Sequence, residues 1–170
     1  MQGIFLLLPF LFIRYGFVNK AALKRAAHFA PMYGMENLAY WIYQIATIIL
    51  LLSMMFLKVI ISFAWYFYLG VMLYLVGLVL CAVSLIHFAD PPDGKFNNNG
   101  LYRYSRNPMY VSYFLYFSGC AVLTQSLILG AAVLLFQIAG HWIILAEERW
   151  CMQEFGIAYQ QYRKRTRRYL

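Results

Sequence analysis

Between residues 38 and 89 the chain carries one charged side chain, Lys58. Fifty-two residues with so little charge hold two crossings of the ~30 Å hydrocarbon core of a bilayer, at about 20 helical residues each. A helical hairpin follows, with spans over residues 38–57 and 63–88 and a turn over 58–62 around Lys58. Tyr40, Trp41 and Tyr43 near one end, and Trp65, Tyr66 and Tyr68 near the other, suit interfacial aromatic anchors. The rest of the composition agrees. Hydrophobic residues make up 64% and charged residues 12%, against roughly 25% charged in a soluble domain.

The 170 residues are used up by about five spans of ~20 residues and their loops, so the expected fold is an all-α, multi-pass transmembrane bundle forming one domain. Residues 1–85 supply mainly spans one to three. Residues 86–170 supply a loop, a second hairpin and a tail. The first span is expected over residues 3–18, where Arg14 is the one charge and must snorkel to an interface. With no basic residue before it and no small-residue cleavage site after it, it reads as a retained span rather than a signal peptide. Lys20, Lys24 and Arg25 follow as a basic loop, and Pro31 and Gly34 break any helix before the second span.

At residue 90 the character changes. Asp90-Pro91-Pro92-Asp93-Gly94 and Asn97-Asn98-Asn99-Gly100 are turn formers that cannot lie exposed to lipid. Asn107-Pro108 fits an N-cap followed by proline at the first helical position, so a fourth span starts there and runs to about Leu123. Thr124-Gln125-Ser126 makes a tight turn. The fifth span covers residues 127–146, and beyond it Glu148, Cys151 or Met152, Phe155, Tyr159 and Tyr162 recur at helical spacing. The last helix therefore extends out of the membrane as an amphipathic helix, ending near the basic run 163–168.

The net charge of +8 does not indicate nucleic acid, because the basic residues sit in loops and tail between apolar runs. With the amino terminus outside, twelve basic residues fall on the cytoplasmic side and Lys58 opposite them. The carboxyl terminus and the polar clusters are then cytoplasmic. Cys81, Cys120 and Cys151 are odd in number and widely spaced, which gives neither a disulfide framework nor a zinc site. His87 and His141 are offset in depth by about 9 Å, a poor pair for haem, and no metal is expected. A packed, hydrogen-bonded role suits His141.

Two polar clusters remain, and both face the cytoplasmic end. Residues 100–110 read Gly-Leu-Tyr-Arg-Tyr-Ser-Arg-Asn-Pro-Met-Tyr. The helix start at Pro108 offers unpaired N–H groups to an anion, and Arg106 adds a permanent charge. Alternatively, Arg103 and Arg106 anchor the interface on lipid phosphates. Glu147 and Glu148 close the fifth span, pointing about 100° apart; an inward carboxylate needs a cationic partner, either a ligand group or Arg103 or Arg106.

Gly100, Tyr102, Arg106, Pro108 and Tyr110, followed by an apolar hairpin, then Glu147-Glu148, Phe155-Gly156, Tyr159, Tyr162 and a basic tail, resemble the integral membrane methyltransferases that include isoprenylcysteine carboxyl methyltransferase and the phospholipid N-methyltransferases. The resemblance covers residue 86 to the carboxyl terminus. It implies an enzyme that uses S-adenosylmethionine as methyl donor. By that resemblance the cofactor contacts are His87, Gly94, Lys95, Phe96, Asn97, Tyr102, Asn107, Pro108, Met109, Tyr110 and Glu147. Arg106, with its permanent charge at the helix start, and Glu148, a proton acceptor if the acceptor is an amine, are the expected catalytic residues. The family motif has histidine where this chain has Asn107, which excludes an imidazole base there. The carboxyl methyltransferases have arginine where this chain has Ile143, which turns the expectation from a carboxylate acceptor to an amine or thiol on a lipid or lipophilic molecule entering from the bilayer. The alternatives are an NADPH-dependent membrane reductase of the sterol type and a small helical transporter or interaction subunit.

Overall fold

The computed structural model describes residues 2–16, 29–89 and 96–169. Within them the chain is helical: α1 (Ile4–Gly16), α2 (Met35–Phe56), α3 (Trp65–Ala89), a 3₁₀ turn (Gly100–Arg103), α4 (Pro108–Thr124) and α5 (Leu127–Arg165). Two isolated bridges are the only β pairing among the described residues. The basic loop of Lys20, Lys24 and Arg25, the turn 90–94 and two expected cofactor contacts, Gly94 and Lys95, lie outside the described residues.

Local chemistry accounts for the helix ends. Gly34, at φ 56°, starts α2 in a backbone region that favours glycine, and Glu36 reaches back to accept from the Tyr33 N–H at 3.1 Å. The α4–α5 turn falls where expected, with Gln125 at φ 50° ending α4 and the Ser126 hydroxyl accepting from Leu129 N–H at 3.2 Å. Proline occupies the first position of α4 as expected, but Asn107 makes no side-chain cap; its amide donates to the Arg168 carbonyl at 3.1 Å.

Helices α2, α3 and α5 are long and apolar enough to cross a membrane. At 13 residues, α1 extends only about 20 Å, so the expected first span is a short helix that enters the bundle. The 17 residues of α4 reach about 26 Å. Gly3 N–H donates to Leu57 O at 2.8 Å and Ile60 N–H to Leu123 O at 2.9 Å, gathering the start of α1, the α2–α3 turn and the end of α4 at one end of the bundle. The polar clusters sit at the other.

The tightest seam joins α3 to α4, and glycine makes it. A Cβ on Gly77 would stand 2.4 Å from Tyr116 N, and one on Gly119 would stand 2.4 Å from Tyr74 N. Small residues at a membrane helix contact let the backbones approach, where packing replaces the hydrophobic drive that lipid cannot supply. The Tyr74 and Tyr116 hydroxyls both donate to the Leu6 carbonyl, at 3.0 and 2.9 Å, fixing α1, which holds Pro9 within it, against the seam. Phe10 stacks on Tyr116 with ring centres 4.6 Å apart.

Trp41, Trp65 and Tyr68 are exposed, as interfacial anchors must be. Tyr43 is not an anchor: it turns inward and stacks on Phe136 at 4.5 Å. Arg14 does not snorkel outward either; it turns into the bundle, where it donates to the Tyr113 hydroxyl. Around the outside, Ile45, Ile48, Leu52, Val79, Leu134 and Ile138 are exposed, the belt expected of a surface solvated by lipid.

The extension of α5 differs from a continuous amphipathic helix. Gly156 breaks it at φ 53°, ψ −126°, a conformation that L side chains rarely adopt. After the break the inward stripe resumes, with Tyr159 buried and its ring 5.7 Å from that of Tyr162. A side chain at 156 meets no atom within 4 Å, so its penalty is conformational. Gly156→Ala is expected to cost about 1–3 kcal/mol and lower the thermal midpoint in detergent. Gly130→Ala, in open helix, is expected to leave it unchanged or raise it.

Candidate functional site

The site is assembled from the 3₁₀ turn, the start of α4, the end of α5 and the carboxyl-terminal tail. Gly100 adopts φ 50° with its backbone against the His87 ring, where a Cβ would come within 2.3 Å of the imidazole. The Leu101 N–H points to His87 Nδ1 at 3.4 Å. His87 thus braces the turn from behind. The tail returns across it: Arg106 N–H donates to Arg167 O at 2.9 Å, and Tyr162 O–H to Tyr102 O at 2.6 Å.

Arg106 and Glu148 form the centre of this clasp. Arg106 Nε and Nη2 donate to Glu148 Oε1 at 3.0 and 2.8 Å, and Nη1 donates to the carbonyls of Thr166 at 2.6 Å and Arg163 at 3.0 Å. Arg168 binds the same carboxylate at 3.1 and 3.0 Å, and that bond raises the Arg168 guanidinium above its ordinary pKa. Glu148 is 5% exposed. Removing one partner of such a buried pair costs about 3–5 kcal/mol, because the other charge is left uncompensated. Of the alternatives open in the sequence, the ion pair with Arg106 is the one realised. The ligand carboxylate expected on Arg106 would have to displace Glu148, and Glu148 has both oxygens engaged by guanidinium donors rather than open to a proton.

Beside the clasp opens a cavity of ≈ 1030 Å³. Its polar end holds Glu147, half-buried, whose Oε1 accepts from the Tyr110 hydroxyl at 3.2 Å. Two buried polar atoms there have no hydrogen-bond partner among the described residues, the Tyr102 hydroxyl and Asn97 Oδ1. Burial pushes the Tyr102 phenol well above its ordinary pKa, so it stays protonated and able to donate. Phe96 faces Phe155, Tyr159 and Tyr162 with ring centres 5.3–5.4 Å away, making an aromatic wall.

Of the residues named from sequence, Phe96, Asn97, Tyr102, Asn107, Met109, Tyr110 and Glu147 line this cavity, as do Arg106 and Glu148. His87 and Pro108 stand behind the wall. Sequence reasoning missed the far end, which α1 and α2 supply: Arg14, Tyr43, Gln44 and Thr47. A signal was present, since Tyr40, Tyr43, Gln44 and Thr47 share one helical face of a largely apolar run. His141 is hydrogen-bonded as expected, to the Tyr169 hydroxyl at 2.7 Å.

Apolar helices long enough to cross a bilayer, an exposed apolar belt and a cavity with a polar end define an integral membrane protein with a chemical site within its bundle. A sequence model of the phospholipid methyltransferase family matches residues 46–158, from the middle of α2 to just past the break in α5. The chain belongs to that family, which makes it a membrane methyltransferase. No curated protein and no solved structure matches it.

Proposed function

We propose that the protein methylates an amine or thiol on a lipid or lipophilic acceptor, with S-adenosylmethionine as donor. The observation that carries this reading is the polar end of the cavity, where an inward Glu147 carboxylate, two buried polar atoms without partners and an aromatic wall converge. These groups match the donor's chemistry. Glu147 suits its ammonium group. The unpaired N–H groups at the start of α4 suit its carboxylate. The faces of Phe96, Tyr159 and Tyr162 suit its sulfonium by cation–π attraction, and Tyr102 and Asn97 suit its remaining polar groups. Asn107, Met109 and Tyr110 shape the same wall, with His87 and Pro108 supporting it.

When bound, the donor supplies a methyl group on a positively charged sulfur. In the transfer the acceptor's lone pair forms the new bond to carbon while the carbon–sulfur bond breaks and its electron pair leaves with sulfur. The residues have to align the two reactants and exclude water. An amine acceptor would lose its proton to water, because Glu148 is engaged by Arg106 and Arg168. The clasp positions the 3₁₀ turn and Tyr162 rather than touching the reacting atoms. Charge asymmetry between the two ends of the bundle supports an outside amino terminus, with tail and site cytoplasmic where soluble donor is available. The acceptor enters from the bilayer.

The reading predicts saturable binding of S-adenosylmethionine to the purified protein in detergent, and no competition by NADPH. Tyr102→Phe removes a buried hydroxyl in the cavity that no group among the described residues satisfies, and is expected to weaken that binding by about tenfold without lowering the thermal midpoint. Unchanged affinity would remove Tyr102 from the donor site.

A further inference from the structure

A second cleft, of ≈ 340 Å³, is lined by Arg103, Tyr104, Arg165 and Arg167, none of which lines the large cavity. Two segments far apart in sequence make it. A bridge between Ser105 and Arg167 runs them parallel, the Arg106 N–H donates to the Arg167 carbonyl at 2.9 Å, and the Thr166 hydroxyl donates to the Arg103 carbonyl at 3.4 Å. Ser105 and Thr166 are buried in this pairing, and Arg103, Tyr104, Arg165 and Arg167 are left exposed around it.

Three of the four lining residues are arginine and none is acidic, so the cleft carries one sign of charge. The carboxylates that form ion pairs among the described residues hold Arg106, Arg149 and Arg168 instead. Like charges brought together by backbone pairing repel. An anion held between Arg103 on one segment and Arg165 and Arg167 on the other relieves that repulsion and ties the segments together. Guanidinium, with several N–H donors in one plane, suits the oxygens of a phosphate. The volume stands near the lower limit of the ~300–1,000 Å³ of small-ligand sites, room for a headgroup rather than a whole lipid.

The position of the cleft says where that phosphate comes from. Arg103 and Tyr104 stand a few residues before Pro108, where the apolar helix α4 begins. The tail beyond Arg167 turns back along the bundle, since the Tyr169 hydroxyl meets His141 Nδ1 at 2.7 Å, in the stretch of α5 between the buried Ala139 and Ile143. The cleft is therefore held at the end of the apolar bundle, at the level of lipid headgroups, rather than carried into water by the end of α5. Tyr104, exposed in the cleft, is the kind of aromatic residue that settles at that level.

We propose that this cleft binds the phosphate of an anionic membrane lipid, and that the bound headgroup holds the tail on the 3₁₀ turn. The lipid is a structural ligand and not the methyl acceptor, so the inference stands apart from the methyl-transfer reading. The end of the bundle concerned is the one proposed to face the cytoplasm, whose leaflet carries anionic lipids.

The test is equilibrium binding and thermal unfolding of the full chain in non-ionic detergent. The probes are a short-chain phosphatidylglycerol, a phosphatidylcholine of equal chain length, and inorganic phosphate. Wild type is expected to bind phosphatidylglycerol more tightly than either other probe and to unfold at a higher temperature in its presence. Arg165→Gln/Arg167→Gln, which keeps the backbone pairing, should weaken phosphatidylglycerol by about 20-fold or more, roughly fivefold per arginine near a membrane surface, and abolish the stabilisation. Arg103→Gln should lose about fivefold. Arg163→Gln/Lys164→Gln removes equal charge from the same tail outside the cleft and should keep the response. An equal loss in that control would make the binding a matter of net charge and overturn the site. Phosphatidylcholine binding as tightly as phosphatidylglycerol would overturn the requirement for an anion, and inorganic phosphate doing so would make this a site for free phosphate and overturn the lipid. If the double variant unfolds early without lipid, Arg103→Gln decides, and undiminished affinity there overturns the proposal.

Discussion

Glu147→Gln is expected to weaken S-adenosylmethionine binding by about 10- to 100-fold, the equivalent of the roughly 1.5–3 kcal/mol carried by a hydrogen bond to a charged group. The surroundings of the carboxylate account for this effect. Glu148, its neighbour, is held by Arg106 and Arg168, whereas Glu147 has the Tyr110 hydroxyl as its hydrogen-bond partner among the described residues. Glutamine keeps the shape and still accepts from Tyr110, so the protein stays folded and the change isolates the charge. Glu148→Gln is expected to behave differently. It leaves two guanidiniums without their common carboxylate, and its main effect should be a lowered thermal midpoint as the tail detaches from the turn. Equal effects on folding and binding for the two variants would show that the two carboxylates do not have separate tasks.

Gly119→Val is expected to eliminate folded protein from membranes altogether. Its Cβ alone would stand 2.4 Å from Tyr74 N, 2.8 Å from Tyr74 Cα and 2.9 Å from Gly70 O, all backbone atoms that no rotamer change can move. Forcing extra carbon into a packed contact costs on the order of 1–3 kcal/mol, occasionally more, and here two helices would have to separate along their tightest seam. Their separation would also pull Tyr74 and Tyr116 from the Leu6 carbonyl and release α1 from the cavity wall. Gly130→Ala, with nothing within 4 Å, is the matched control. Yield and elution profile in detergent read the difference; a monodisperse, folded Gly119→Val protein would show that the α3–α4 contact is not what holds the bundle.

The spans and turns were legible in the sequence because they depend on neighbours in the chain. Long apolar runs, Pro108 at a helix start and the Thr124-Gln125-Ser126 turn each state their structure within a few residues. The near end of the site was legible for the same reason: Tyr102, Asn107, Tyr110 and Glu147 stand out against an oily background. Contacts that close over long separations were not. Arg14 looked like a charge bound for the interface because nothing near it in sequence names Tyr113, 99 residues away. Asn107 looked like a cap because its competing acceptor, the Arg168 carbonyl, arrives from 61 residues further on. Tyr43 resembled an anchor because aromatic clusters at span ends usually face lipid headgroups, whereas Phe136 on α5 offers this ring an inward stack. Gly156 fell within a regular stripe, and a stripe does not disclose that one member has left-handed backbone.

The Arg106–Glu148–Arg168 network alters how the two polar clusters are understood. The residues that looked most reactive, an arginine and a glutamate at the mouth of the site, hold each other and the tail. The groups left open to a ligand are quieter ones: Glu147, the Tyr102 hydroxyl and Asn97 Oδ1. Such a division suits methyl transfer, in which alignment matters more than acid–base work.

The most direct test of this account is to incubate membranes containing the protein with S-adenosylmethionine labelled in its methyl group and to identify what carries the label. The account predicts label on the amine or thiol of a lipid or lipophilic molecule, in an amount that falls with Glu147→Gln. Label in no membrane component, despite a folded protein that binds the donor, would contradict it.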